Sequence, residues 1–77
     1  MNTTNLFYDE WTCAFQALCA KFPLADGNVN ILGSDKTGDY IEVYSAAGFT
    51  RYSSIDEILK AMGWTFQQME QIAVERK

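Results

Sequence analysis

The sequence predicts a small α+β domain of order α-β-β-β-α-α: a three-stranded antiparallel meander packed against an N-terminal helix and a C-terminal helical pair. Three observations carry that expectation. Apolar residues recur at helical spacing before residue 23 and again after residue 54. Between them, three short stretches alternate polar and apolar residues, joined by glycine-bearing turns too short for parallel crossovers. With 77 residues, 48% of them hydrophobic and 14% aromatic, the chain has enough apolar material for one core and too little length for two.

The first helix is expected over about Asn5 to Phe22. Tyr8, Trp11, Phe15, Leu18 and Phe22 fall at alternating spacings of three and four, and Phe7 and Ala14 widen the stripe. Asp9 and Glu10 near its start and Lys21 near its end suit the helix dipole, and Pro23 stops it. The aromatic stripe reads as the main core-forming face. Asp26-Gly27 marks a turn. Asn28 to Leu32 then alternates, with Val29 and Ile31 on one face. Gly33 to Gly38 reads as a polar loop, Asp39 to Ser45 as a second strand and Phe49 to Ser53 as a third.

The strongest local signals lie in the last third. Ser54-Ile55-Asp56-Glu57 and Thr65-Phe66-Gln67-Gln68 are two capping boxes. Ile55, Ile58, Leu59 and Met62 form one apolar stripe, and Phe66, Met69, Ile72 and Ala73 another. Gly63 stands where a left-handed helix end is wanted, followed by the apolar Trp64.

Composition excludes several kinds of chemistry. There is no histidine, which removes histidine-dependent catalysis and histidine metal sites. Ten acids against six bases give a net charge of -4, the wrong sign for a phosphate-binding surface. Cys13 and Cys19, the two cysteines, lie about 9 Å apart along one helix, beyond disulfide reach. They read as small hydrophobes in a reducing cytosol. Neither a signal peptide nor a membrane span fits the charged N-terminal helix, so a cytoplasmic protein is expected. With no paired catalytic carboxylates, phosphate loop or activated thiol, the chain reads as a non-enzyme without metal or cofactor.

Asp35-Lys36-Thr37-Gly38 matches the phosphorylated-aspartate motif of P-type ATPases letter for letter, but that chemistry needs a larger domain and further acids for Mg²⁺. A polar hairpin loop is the better reading. Asp56 to Ala73 resembles a helix-turn-helix at Gly63, Trp64, Met69 and Ile72, and departs from it at Leu59, where that motif wants a small residue. Under this alternative, a DNA-binding regulator, Gln67, Gln68, Gln71 and Arg76 would face the groove, with Glu70 and Glu75 opposing phosphate contact.

The leading candidate site is one face of the sheet. A two-residue loop at Ala46-Ala47 sets Tyr44 opposite Phe49 and Glu42 opposite Arg51. Tyr40, Glu42, Tyr44, Phe49 and Arg51 then share a face rich in residues favoured at protein interfaces. Val29, Ile31, Ile41, Val43 and Tyr52 are expected on the opposite, helix-covered face. Asp35 and Asp39, joined by Asp26, would add a negative edge that attracts a basic partner. The expected role is a protein-interaction module, an inhibitor or regulator of a larger basic protein, itself one that could bind nucleic acid. In size, acidity and lack of an active site the chain resembles small inhibitors of host machinery carried by phages and mobile elements, including anti-CRISPR proteins, which would place it in the host cytoplasm. Homodimerisation through a sheet edge is a further expectation.

Overall fold

The computed structural model describes residues 10–76. Helix α1 spans Glu10–Lys21, with Glu10 in its first turn and Lys21 in its last, each at the end the dipole favours. The expected start near Asn5, and with it Phe7, Tyr8 and Asp9, lies outside the described residues. Pro23 ends the helix, and the chain makes a short 3-10 turn at Leu24–Asp26 that closes on Gly27 in the left-handed region, φ 88°. Strands β1 (Val29–Asp35), β2 (Gly38–Ser45) and β3 (Gly48–Tyr52) follow, then α2 (Ile55–Met62) and α3 (Phe66–Arg76). The sheet is antiparallel in the order β1-β2-β3, as expected.

Two expectations about the sheet are corrected by its register. The strand β1 does not stop at Leu32: Gly33, Ser34 and Asp35 pair with Tyr40, Asp39 and Gly38, which leaves only Lys36-Thr37 as the loop. The register also places Val29 opposite Tyr44 and Ile31 opposite Glu42. Val29 and Ile31 therefore share the outer face with Tyr40, Glu42, Tyr44, Phe49 and Arg51. They do not join Ile41 and Val43. The cause is the even length of the loop, which pairs odd-numbered residues of β1 with even-numbered residues of β2. The inner face keeps Ile41, Val43 and Tyr52, all buried, as the alternation predicts.

Packing on α1 also differs from expectation. Its fully buried residues are Cys13, Ala14, Ala17 and Leu18, whereas Trp11, Phe15 and Phe22 are only partly buried at the margin of the core. The buried arc is centred roughly 100° around the helix from the aromatic stripe. Small side chains at Ala14 and Ala17 let α1 lie close to α3, and the bulky rings fill the flanks. The core is completed by Ile58 of α2 and Met69 and Ala73 of α3. Among the described residues no polar or charged residue is buried in it. Burial pushes the Cys13 thiol up to about 11, with the Glu70 and Glu10 carboxylates adding to the effect, so it stays protonated at neutral pH. Neither Cys13 nor Cys19 forms a disulfide.

The C-terminal caps form largely as read. Ser54 Oγ accepts from the Glu57 N–H at 3.1 Å. The Glu57 carboxylate reaches back to the N–H of Ser53 at 2.8 Å, one residue before the N-cap where a strict capping box would place it. Gly63 ends α2 with φ 73°, and Trp64 N–H donates to the Leu59 carbonyl at 2.9 Å. Thr65 and Gln68 make both reciprocal bonds, at 2.8 and 3.1 Å. Thr65→Ala is expected to cost about 1 kcal/mol in a denaturant titration, since it leaves the Gln68 N–H without its side-chain acceptor. An effect below about 0.3 kcal/mol would mean that the Thr65 cap contributes nothing.

Candidate functional site

The outer face of the sheet is built around Arg51. Its guanidinium carbon stands 3.9 Å from the centroid of the Tyr40 ring. One terminal nitrogen donates to the Asp35 carboxylate at 2.6 Å and the other reaches Glu42 at 3.5 Å. The strands impose this arrangement. Glu42 is directly opposite Arg51, and Tyr40 is the diagonal neighbour on the same face. Asp35 sits at the end of β1, at the mouth of the first hairpin, and is held from its own side by Thr37, whose N–H and hydroxyl both donate to one carboxylate oxygen at 2.8 and 2.7 Å.

Tyr40 owes its position to Gly33, its direct partner across the ladder. The tyrosine ring lies over the glycine so closely that a Cβ there would stand 2.7 Å from the phenol oxygen. Tyr40 thus lies between a bare backbone and the arginine. Beyond it, Tyr44 and Phe49 stack with ring centroids 4.9 Å apart, and the Tyr44 hydroxyl donates to Glu42 at 3.3 Å. Partial desolvation and then the Glu42 carboxylate hold the Tyr44 phenol above its ordinary pKa. The apolar margin is Val29 (45% exposed), Ile31 (41%) and Phe49 (53%), values that mark a surface left uncovered by the helices.

Five of the seven residues expected at this site, Tyr40, Glu42, Tyr44, Phe49 and Arg51, share the face in the expected register, and Asp35 joins them through Arg51. Asp39 does not. It pairs with Ser34 and so belongs to the other side of the sheet at the hairpin end. The negative edge therefore loses two of its charges, since Asp35 is neutralised by Arg51 and Asp39 points away from it. Val29 and Ile31 are the members that sequence reasoning missed. The parity of the loop was the signal for them.

Thr37 first, then the Arg51 guanidinium, lower the Asp35 carboxyl from 3.8 to about 2. A carboxyl depressed in the folded state adds stability above its unfolded pKa, and that contribution is lost as pH falls from about 4 towards 2. A carbon-13 titration of the carboxyl should give a midpoint near 2 in the intact protein. Thr37→Val should move it back towards 3.8. A wild-type midpoint already at the ordinary value would show the Asp35 clamp to be open in solution.

Other surfaces offer less. A groove of about 530 Å³ lies between the end of α1, the 3-10 turn and β1, lined mainly by Phe15, Cys19, Ala20, Leu24 and Val29. Among the described residues that line it, Cys19 brings a thiol and none is charged. On α3 the exposed side carries Gln67, Glu70, Gln71 and Val74. There Gln71 donates to Glu75 at 3.1 Å, and Gln68 is engaged in the Thr65 cap. Among the described residues no cluster of acids and thiols could hold a metal ion, and no helix is long and apolar enough to cross a membrane. No family model, curated protein or solved structure matches the chain.

Proposed function

We propose that this chain is a protein-interaction module that binds a larger partner through the outer face of its sheet and acts by occupying that partner's surface. The observation that carries the reading is the exposure of Val29, Ile31, Tyr44 and Phe49 on one face around an arginine already fixed by Tyr40, Asp35 and Glu42. Aromatic and arginine side chains are the usual anchors of interfaces. Here the long arginine side chain is already ordered, so less rotamer entropy remains to be lost on binding. The net charge of -4 suits a partner with a basic surface, which the acidic chain would approach faster at low salt.

The test is affinity capture with the intact chain as bait, followed by binding measurements on the recovered partner. Tyr44→Ala and Arg51→Ala, each checked for fold by circular dichroism, should each weaken that complex by roughly 30-fold, the loss of about 2 kcal/mol typical of an anchor residue. Binding that survives both changes would sink the assignment to this face.

A further inference from the structure

The free edge of β1 has features that set it apart from the free edge of β3. Asp35 and Gly38 close a two-residue loop, so that pair exchanges both of its backbone bonds, as do Gly33–Tyr40, Ile31–Glu42 and Val29–Tyr44. The remaining residues, Asn30, Leu32 and Ser34, direct their N–H and C=O groups away from β2. Among the described residues no strand lies there and no backbone bond to another element takes up those groups. The usual guards of a sheet edge are missing from β1. It has seven residues, no proline, lysine or arginine, and no break in register, and its one charge, Asp35, is at the end. The β3 edge is shorter, five residues, and carries Arg51. Leu32, at the middle of β1, is 38% exposed although it faces the helix side.

We propose that β1 pairs antiparallel with β1 of a second copy of this chain, about a two-fold axis at Leu32, to give a continuous six-stranded sheet. That register alone uses every outward group of Asn30, Leu32 and Ser34: Leu32 faces its counterpart, and Asn30 faces Ser34 of the other copy on both sides. The two exposed leucines then cover each other on the helix side. On the outer side Ile31 comes opposite the other copy's Gly33, the one position of β1 without a side chain. Val29 comes opposite Asp35, so the two Asp35 carboxylates stay at opposite ends and no like charges meet. The pairing is isologous and closes at two copies. It also sets two outer faces side by side on one surface.

Sedimentation equilibrium on the full chain should give a mass near twice 8.7 kDa at about 100 µM, with dissociation on dilution, as befits a small interface. Leu32→Lys sets two ammonium groups together at the axis and should raise the dissociation constant at least tenfold. Crosslinking then reads the register in a Cys19→Ser background. Leu32→Cys places the two Cα atoms about 5.5 Å apart, within reach of a disulfide, and should form a linked dimer on mild oxidation. Ser34→Cys separates them by about 13 Å and should not. Amide exchange in wild type should be slow at Asn30, Leu32 and Ser34. A single-copy mass across the concentration range overturns the proposal. So do linkage of both cysteine variants alike, and a dimer in which those three amides exchange freely, which would assign the association to another surface.

Discussion

Leu18→Ala should cost about 2–5 kcal/mol, because Leu18 is the largest wholly buried side chain of α1 and its truncation leaves a void where that helix meets the rest of the core. A domain of 77 residues has only about 4–12 kcal/mol of total stability to lose, at ~0.05–0.15 kcal/mol per residue. The loss is therefore a large share of the stability the domain has. Urea titration followed by helical circular dichroism measures the effect as a lower midpoint with little change in slope. Val74→Ala on the exposed side of α3 is the control, expected within about 0.5 kcal/mol of wild type. If Leu18→Ala behaved like Val74→Ala, the packing of α1 described above would be wrong.

Gly33→Val should have the opposite character, leaving the fold in place while taking the outer face apart. A side chain at this position occupies the space of the Tyr40 phenol. The clashing atoms are the far end of a ring on an exposed face, so the ring can swing outwards, and valine is itself favoured in strands. The net change in stability should be within about 1 kcal/mol. The displaced ring no longer lies against the Arg51 guanidinium, and the arginine regains its freedom. Proton NMR reads this directly: the side-chain protons of Arg51 should lose the upfield ring-current shift of a group above an aromatic face. Binding of a partner that uses Arg51 should fall with it. An unchanged arginine spectrum would mean that the stack does not depend on the bare backbone at Gly33.

Much of the fold was legible because each element carries a local signal that nothing in its surroundings opposes. The reciprocal cap at Thr65 and Gln68, the left-handed Gly63 and the two-residue loop at Ala46-Ala47 depend on residues close in sequence. The second hairpin therefore set Tyr44 against Phe49 and Glu42 against Arg51 as read. Two other readings followed hydrophobicity where geometry prevails. Val29 and Ile31 are strongly apolar and invite an inward placement, yet any even-numbered loop between β1 and β2 turns them outwards, whether it has two residues or six. In α1 the large aromatic side chains suggest the core face. Close approach of two helices instead favours small side chains at the contact, so Ala14 and Ala17 are buried and the rings stand at its margin. The clamp on Asp35 was not legible, because it joins residues sixteen positions apart and depends on how far an arginine reaches across the sheet. Sequence spacing does not encode that distance.

The contact between α1 and α3 also governs the order in which the domain can assemble. These helices are the first and last described elements, and the whole sheet and α2 lie between them in sequence. The two hairpins can close locally, but the part of α1 that packs on α3 stays open to water until α3 returns to it across about 45 residues of chain. During synthesis the side of α1 that meets α3 therefore awaits a partner translated about 45 residues later, and a ribosome paused before Phe66 would hold that helix without its α3 cover. Folding of this chain is expected to be a late, nearly all-or-none event, with α3 as the segment that commits it.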